Sequence, residues 1–281
     1  MGMSSMIENM AKRRSVRTYR AGPVGNDLKQ TLLEYVLKNS TGPFGNTIRF
    51  SLVEISESEK KDIKSLGTYG MIRGANLYLS GAVKPAPYAM EDFGYCMEKA
   101  VLKATELGLG TCWLGGTLNR GNFGSRTGLQ KGEVIPAATP IGFAGDNPRL
   151  WEHTVRMMVK AHTRKPFASL FFSESETVPM VENAGDPFIK ILENVRSAPS
   201  ASNKQPWRII RKGNEFSFYL DEDKLYNSAF PNIKIQNLDI GIAISHFDLS
   251  AEELGFQGVW LPEAPVLKTA SWVPIATWKM K

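Results

Sequence analysis

The sequence predicts an α+β fold built from two similar modules, each a small mixed sheet flanked by helices. Residues 91–114 align without a gap with residues 238–261 and agree at nine positions, whereas unrelated stretches of that length share about one or two residues. Segments with helical and strand periodicity follow the same order in both halves, namely helix, strand, strand, helix, strand. We therefore expect an internal duplication, with one module over residues 1–170 and a shorter one over residues 171–281.

The elements of the first module follow from apolar periodicity and from residues that end helices. Helical spacing begins after Asn26, which we expect to be the N-cap, and stops before Gly42. A long helix over residues 91–107 closes at Gly108, where a left-handed residue is required. The other expected elements are strands over residues 48–55, 76–83, 137–144 and 155–161 and a short charged helix over residues 56–65.

The second module repeats this order with shorter connections. Residues 192–195 echo residues 33–36, and residues 274–277 echo residues 136–139. An amphipathic helix is expected before Ser197, and an apolar strand is expected from Trp207 onward.

The segment Ser197–Trp207, here called the Ser/Asn loop, joins that helix to that strand. It consists mainly of small hydroxyl and amide side chains, and Pro199 and Pro206 stiffen its two ends. A polar loop held between two rigid elements suits a flat polar ligand. An ordinary turn rich in Ser, Asn and Pro is the alternative interpretation.

The positive charge of the chain is concentrated in two short clusters. The formal net charge is +6, and cations crowd residues 12–20 and again residues 160–165. Two small clusters favour a discrete anion site over a long basic stripe, although a solvated basic face is the alternative. The residues Arg13–Arg17 are here called the Arg motif.

A glycine-rich segment, Gly110–Gly116, follows the long helix of the first module and is here called the Gly loop. Glycine would let backbone N–H groups approach a ligand closely. The alternative is a plain helix C-terminus that leads into a strand.

The Ser/Asn loop resembles the loop after the first long helix in the FMN-dependent nitroreductase-like family, and the Arg motif resembles the opening motif of that family, which holds the flavin phosphate. Members of that family are two-fold dimers with the flavin in the interface. In the usual member both motifs lie in one subunit, whereas here they lie in different halves of the chain. The resemblance therefore implies a single-chain, fused form, packed as an intrachain pseudo-dimer.

The resemblance implies one FMN per chain and assigns its ligands in three groups. In this assignment the Arg motif and the pair Arg164–Lys165 hold the phosphate. The Gly loop lies along one edge of the flavin ring, and the Ser/Asn loop contacts the ring. The residues expected to bind FMN are Arg13, Arg14, Ser15, Arg17, Tyr69, Trp113, Leu114, Gly115, Gly116, Arg164, Lys165, Pro199, Ser200, Ala201, Ser202, Asn203 and Gln205.

The complementary site of the duplicate is expected to be lost. Residues 39–46 stand where a second Ser/Asn loop would lie, and Phe172–Ser175 stand where a second Arg motif would lie. Removing cations and adding the Glu174 carboxylate disfavours a phosphate dianion.

The implied activity is electron transfer from NAD(P)H through the flavin to a nitroaromatic, quinone or similar acceptor by a ping-pong mechanism. No catalytic side chain is expected, because the flavin supplies the chemistry. NAD(P)H is expected to bind only transiently, since no Gly-x-Gly-x-x-Gly follows a strand. The alternatives are a flavin-binding or flavin-free scaffold without turnover and, less favoured, a basic nucleic-acid-binding protein.

Composition restricts the other possibilities. The two cysteines and three histidines have no ligand spacing, so neither a disulfide nor a metal site is expected. No apolar run approaches the ~20 residues that span a bilayer, and we expect a cytoplasmic protein. The expected partner is a small-molecule electron acceptor, without nucleic acid or membrane, and a monomer suffices for the site even if the chain oligomerises further.

Overall fold

The structure is a computed structural model, and it describes residues 5–56, 72–116, 118–146, 163–228 and 233–281. The chain forms two compact units, here called the first unit (Lys12–Val159) and the second unit (Met1–Ala11 with Lys160–Lys281). The module boundary expected between residues 170 and 171 stays a prediction, as does the pairing of the modules into a pseudo-dimer. Tyr69, the strand expected over residues 155–161 and nearly all of the helix expected over residues 56–65 lie outside the described residues.

The described elements follow the order expected for a duplicated α+β chain. The helices are α1 (Met6–Lys12), α2 (Asn26–Lys38), α3 (Ala89–Glu106), α4 (Arg120–Thr127), α5 (Pro187–Ser197), α6 (Lys224–Ser228) and α7 (Ile235–Glu253). The strands are β1 (Arg49–Glu54), β2 (Leu77–Ala82), β3 (Gly110–Thr111), β4 (Ala138–Gly142), β5 (Phe171–Ser173), β6 (Trp207–Lys212), β7 (Glu215–Leu220), β8 (Gly258–Leu261) and β9 (Val273–Met280). Among these helices, none is long and apolar enough to cross a membrane.

The first unit contains a four-stranded sheet in the order β1-β2-β4-β3, with antiparallel neighbours. Every residue of β2 is buried, because both faces of this central strand are covered. Gly81 faces Phe93 of α3 on one side. Tyr78 lies on the other side, in a hydrophobic cluster with Val16 and Phe123.

Helix α4 was not expected from the sequence, since it contains two glycines that lower helix propensity. Phe123 at its centre is fully buried and packs edge-on against Tyr78, with ring centroids 5.7 Å apart. Packing against the sheet, rather than local propensity, therefore stabilises this helix.

The second unit contains a five-stranded mixed sheet in the order β5-β6-β7-β9-β8. Strand β5 runs parallel to β6, and the remaining neighbours are antiparallel. Helices α5 and α7 pack against each other. Phe247 of α7 is fully buried in an aromatic cluster with Phe216, Phe218, Trp260 and Trp278.

The two units repeat the same strand order, since β1-β2-β4-β3 corresponds to β6-β7-β9-β8. The long helices also end alike: Gly108 and Gly255 have φ values of +75° and +83°. After each glycine, the next backbone N–H donates at 2.8 Å to a carbonyl of the helix, Leu109 to Ala104 and Phe256 to Ala251. The predicted left-handed residue at Gly108 is confirmed, and the shared geometry supports the duplication.

The first helix of the chain belongs to the second unit. The backbone N–H of Ile7 donates to Glu253 Oε2 at 3.1 Å, and the Ser5 hydroxyl donates to the same carboxylate. Ser250 Oγ contacts Met10 Sδ at 3.6 Å. Residues at the start of the chain are thereby fixed to the end of α7.

One helix boundary differs from the expectation. Asn26 is the first residue of α2, and Gly25 takes the N-cap position without a side-chain hydrogen bond. The Asn26 side chain therefore does not cap the helix as predicted.

Candidate functional site

The Arg motif runs beside the edge strand β3 of the first unit. Ser15 forms a parallel bridge with Thr111, and the backbone N–H of Val16 donates to the Thr111 carbonyl at 2.8 Å. The Arg17 carbonyl accepts a hydrogen bond from the backbone N–H of Arg73 at 2.9 Å. The Arg motif and the start of the Gly loop, which the sequence gives as separate segments, therefore lie side by side.

This close approach requires glycine at position 110. A Cβ built on Gly110 would lie 2.7 Å from Cγ2 and 2.8 Å from Cβ of Val16. Val16 is itself buried in the hydrophobic cluster that contains Leu114. At this position glycine serves the packing of the Arg motif.

The guanidinium groups of the Arg motif differ in their surroundings. Arg14 is exposed, whereas Arg13 and Arg17 are partly buried. Arg17 Nη1 is a buried atom that has no hydrogen-bond partner within the described part of the chain. Arg20 differs, because it forms an exposed ion pair with Asp146 at 2.6 Å. A buried guanidinium N–H without an acceptor is costly, and an anionic ligand would satisfy it.

The Gly loop is tied to strand β4 through its backbone. The N–H of Leu114 donates to the Ala138 carbonyl at 2.9 Å, and the N–H of Ala138 donates back at 3.0 Å. The N–H of Cys112 donates to Thr139 Oγ1 at 3.0 Å. The Leu114 side chain is buried in the hydrophobic cluster, so its contribution to a ligand site would come from its backbone.

Trp113 is fixed by an acid on the preceding helix. Its indole Nε1 donates to Glu98 Oε2 at 2.8 Å, and Glu98 is completely buried in α3. Trp260 repeats this arrangement in the second unit, since its Nε1 donates to Asp248 Oδ1 at 3.2 Å. Both tryptophans therefore have a set orientation against their long helix.

Arg120 was missed by the sequence reasoning, although it holds the Gly loop. Its Nη2 donates to the Gly115 carbonyl at 2.8 Å, and its Nε donates to the Ile135 carbonyl at 3.1 Å. Burial lowers the pKa of this guanidinium, since desolvation disfavours the charged form. A single Arg outside any motif gives no sequence signal for this role.

The backbone of the Ser/Asn loop is unusual at three non-glycine residues. Ser202, Asn203 and Gln205 have φ values of +49°, +55° and +47°. Such left-handed conformations cost about 1–3 kcal/mol each and persist only where the surroundings fix them. Their occurrence within one short loop agrees with a functional role of the loop.

Gln205 is the centre of the hydrogen-bond network that fixes this loop. It is 3% exposed, and its backbone N–H donates to Ser200 Oγ at 2.9 Å. Its Oε1 accepts from the backbone N–H of Lys165 at 2.8 Å, and its Nε2 donates to the carbonyl and to Oδ1 of Asn203, each at 3.2 Å. Its carbonyl accepts from Arg208 Nη1 at 3.1 Å.

The side chains of Arg164 and Lys165 donate hydrogen bonds to the Ser/Asn loop. Arg164 Nη2 donates to the Ser197 carbonyl at 2.9 Å, and its Nη1 donates to Asn203 Oδ1 at 3.4 Å. Lys165 Nζ donates to the Gln205 carbonyl at 3.4 Å. Burial lowers the pKa of Lys165, and the nearby charge of Arg208 acts in the same direction. The assignment of Arg164 and Lys165 to a phosphate stays a prediction.

Two further contacts of the loop were also missed. Arg208 is buried and pairs with Asp221 at 2.5 Å. Tyr226 of α6 forms a hydroxyl–hydroxyl hydrogen bond with Ser202 at 3.0 Å. Arg208 reads as part of an apolar strand and Tyr226 as part of a connection after a strand, so neither sequence context marked them.

We expect Gln205→Ala to destabilise the second unit by about 1–3 kcal/mol, because it removes the hydrogen bonds that the buried Gln205 side chain forms with the N–H of Lys165 and the carbonyl of Asn203. Denaturant unfolding measures this change. Gln30→Ala, which removes an exposed amide paired with Glu34, serves as the control and should change stability by about 0.5 kcal/mol or less. Equal unfolding midpoints for Gln205→Ala and wild type would contradict this role of Gln205.

The described site residues fall into two groups, one in each unit. Those in the first unit are Arg13, Arg14, Ser15, Arg17, Trp113, Leu114, Gly115 and Gly116, and those in the second unit are Arg164, Lys165, Pro199, Ser200, Ala201, Ser202, Asn203 and Gln205. Within each unit the residues lie on segments that are joined to each other by hydrogen bonds. Their common role in cofactor binding stays a prediction.

The position expected for Phe172–Ser175 is wrong. Strand β5 contains Phe172 and pairs with β6, at the opposite edge of its sheet from β8. In the first unit, the Arg motif lies beside β3, whose counterpart is β8. The segment therefore extends the sheet, and it does not stand in the place of a second Arg motif.

A family model described as "Putative TM nitroreductase" matches residues 5–251 of the chain. No curated protein sequence matches the chain at a significant level.

Among solved structures, a protein from Thermotoga maritima MSB8 called a putative nitroreductase is 18% identical, with a TM-score of 0.63 and coverage of 100% of this chain and 95% of that chain. A nitroreductase with bound FMN from Desulfitobacterium hafniense DCB-2 is 18% identical, with a TM-score of 0.45, over 52% of this chain and 92% of that one. The NADPH:FMN oxidoreductase from Vibrio harveyi is 20% identical, with a TM-score of 0.43, over 54% and 76%. At these identities, the Thermotoga structure shows a shared fold over the whole chain.

Proposed function

Because the chain belongs to the nitroreductase family, we propose that it is an FMN-dependent oxidoreductase. The observation that most supports this proposal is the Arg motif beside the Gly loop, with the buried Arg17 Nη1 lacking a partner among the described residues. A cationic segment of this kind next to a glycine-rich loop suits a phosphate-bearing cofactor.

The donor set of the Arg motif fits the phosphate of FMN. Guanidinium groups at Arg13, Arg14 and Arg17 can offer paired, charge-assisted hydrogen bonds, and the Ser15 hydroxyl can add one more. The nearly two negative charges of a phosphate monoester need such partners once they leave bulk water. We propose that these residues bind the phosphate, together with Arg164 and Lys165.

We propose that the remaining assigned residues hold the flavin ring. The Gly loop is fixed by Arg120 and by strand β4, so its backbone donors are held in position before a ligand binds. The Ser/Asn loop is fixed through Gln205, which gives the same advantage to Ser200 and Asn203. Preorganised donors of this kind lower the entropic cost of binding.

A bound flavin would supply two-electron redox chemistry, and the protein would supply binding and orientation. We propose that NAD(P)H is the transient reductant and that a nitroaromatic, quinone or similar small molecule is the acceptor, in a ping-pong sequence. The role of the chain's own residues is then to bind and orient the cofactor.

Anaerobic titration of the FMN-loaded protein with NADH and, separately, with NADPH tests this proposal. We expect FMN to remain with the protein through gel filtration and its yellow colour to bleach with one of the nucleotides. Addition of a nitroaromatic or quinone should restore the colour. A protein that stays colourless after incubation with FMN would contradict the proposal.

A yellow protein that neither nucleotide bleaches would instead indicate a flavin-binding scaffold without turnover. This outcome separates the cofactor from the activity, since the Arg motif and the Ser/Asn loop would then bind FMN without completing a reaction.

A further inference from the structure

Two buried acids occupy matching positions in the duplicated helices. Asp92 of α3 and Asp239 of α7 align in the repeat, and they are 0% and 3% exposed. Each accepts a backbone hydrogen bond from a loop that follows a helix of its own unit, α2 in the first unit and α5 in the second. In the second unit that loop is the Ser/Asn loop.

In the first unit the acid is fully satisfied. Asp92 Oδ1 accepts from the N–H of Phe44 at 3.0 Å, and Oδ2 accepts from the N–H and from Nδ2 of Asn46, each at 2.8 Å. A Cβ on Gly42 would lie 2.2 Å from Asp92 Oδ1, so the loop closes tightly around this carboxylate. These three donors oppose the effect of burial, which raises the pKa of Asp92.

In the second unit the corresponding acid, Asp239, has one donor among the described residues. Asp239 Oδ1 accepts from the backbone N–H of Ala201 at 2.9 Å. Its Oδ2 is buried and has no hydrogen-bond partner in the described residues. Burial raises the pKa of Asp239 well above its ordinary value, and the Ala201 hydrogen bond only partly opposes this. A buried carboxylate with a single N–H partner is strongly disfavoured relative to the neutral acid.

Ala201 lies where the Ser/Asn loop changes direction. It begins the short 3-10 turn Ala201–Asn203, and Ser200 before it is extended. The residues after it, Ser202 and Asn203, have positive φ values. The hydrogen bond from the Ala201 N–H to Asp239 therefore fixes the direction of the chain at the start of the left-handed residues Ser202 and Asn203.

We propose that Asp239 is a positioning residue that holds the Ser/Asn loop in its ligand-ready conformation and does so as an uncharged carboxylic acid. Its effect on a cofactor rests on the proposed function, whereas its effect on the loop does not. Asp92 holds a loop that carries none of the assigned ligands, so the duplicated position provides a matched control within the same chain.

The loop itself is tested by limited trypsin digestion of the FMN-free protein, with cleavage after Lys204 followed by mass spectrometry. Lys204 is partly buried in the loop, and cleavage there requires the loop to open. We expect Asp239→Ala to accelerate this cleavage at least about tenfold, which corresponds to the loss of one buried hydrogen bond. Asp239→Asn, which keeps the acceptor and is uncharged, should cleave at the wild-type rate within about threefold.

Ala201→Pro tests the same hydrogen bond from the other side, because it removes the N–H and leaves Asp239 in place. We expect it to accelerate cleavage after Lys204 as Asp239→Ala does, and it serves if Asp239→Ala fails to fold. Asp92→Ala should leave the cleavage after Lys204 unchanged.

The FMN dissociation constant of the same variants tests the consequence for the cofactor. We expect Asp239→Ala to weaken binding at least about tenfold and Asp239→Asn to restore it to within about threefold of wild type. If wild type binds no FMN, the proposed function fails, while the cleavage rates still decide the role of Asp239. Wild-type cleavage in both Asp239→Ala and Ala201→Pro would overturn the inference, and an Asp239→Asn variant as impaired as Asp239→Ala would overturn the uncharged state.

Discussion

Replacing Arg13 and Arg14 together by alanine is expected to weaken FMN binding by about 2–4 kcal/mol, the range for loss of charge-assisted hydrogen bonds to a phosphate. The Arg motif is anchored through the backbone of Val16 and through its packing against Gly110. Neither anchor involves the two altered guanidinium groups. The substitution should therefore leave the fold of the first unit intact, and isothermal titration with FMN would show the loss.

The control for this prediction must remove the same net charge elsewhere. Arg20→Ala with Lys29→Ala does so, because these cations pair with Asp146 and Glu54, whose carboxylates are exposed. We expect FMN binding by this control to match wild type at physiological salt, where exposed charges are screened. Equal losses in both double variants would indicate a general field effect, and unchanged binding by Arg13→Ala with Arg14→Ala would refute the phosphate assignment.

Phe247→Ala is expected to lower the free energy of unfolding of the second unit by about 3–5 kcal/mol, the usual cost of removing a buried aromatic ring. The ring lies with its centroid 5.1 Å from those of Phe216 and Trp278. Its centroid is also 5.5 Å from that of Phe218 and 6.0 Å from that of Trp260. One cavity would therefore loosen the contacts of the helix with three strands at once.

Denaturant unfolding followed by tryptophan fluorescence measures this change, since Trp260 and Trp278 report on the cluster directly. Phe247→Leu, which keeps much of the volume, is the matched variant and should cost about 1.5 kcal/mol or less. A loss below about 1 kcal/mol for Phe247→Ala would show that the cluster repacks around the gap. The repeat itself does not require an aromatic ring at this position, because the counterpart of Phe247 in the first unit is Ala100.

The sequence was informative where a residue acts through local geometry. Gly108 ends its helix in the left-handed conformation expected of it, and Gly255 ends α7 in the same way. The apolar runs over residues 48–55 and 76–83 form β1 and β2. The family resemblance, which depended on the residues of two short motifs, is confirmed by the family match.

Features that depend on partners far along the chain could not be predicted in this way. Gln205 accepts a hydrogen bond from the N–H of Lys165, forty positions earlier in the chain. Its place in a polar loop gave no sign that its side chain is buried. Arg120 binds carbonyl groups of two separate segments. Asp239 was visible as a repeated residue, but its contact with Ala201 depends on how helix and loop pack.

Sequence reasoning was also limited at the sheet edges. The apolar segment around Phe172 is compatible with several positions, since pattern alone specifies that a strand is buried and not which strand it joins. Pairing of β5 with β6 is a long-range choice. The mistaken position of Phe172–Ser175 follows from that ambiguity.

The attachment of α1 to Glu253 and Ser250 has a consequence for biosynthesis. During translation the first unit leaves the ribosome as one uninterrupted stretch, so it can fold while the rest of the polypeptide is still being made. Helix α1 emerges before all of it, whereas its partner α7 is translated only after the whole of the first unit. The contact between α1 and α7 therefore forms only after the first unit has been translated, and it closes a very long loop.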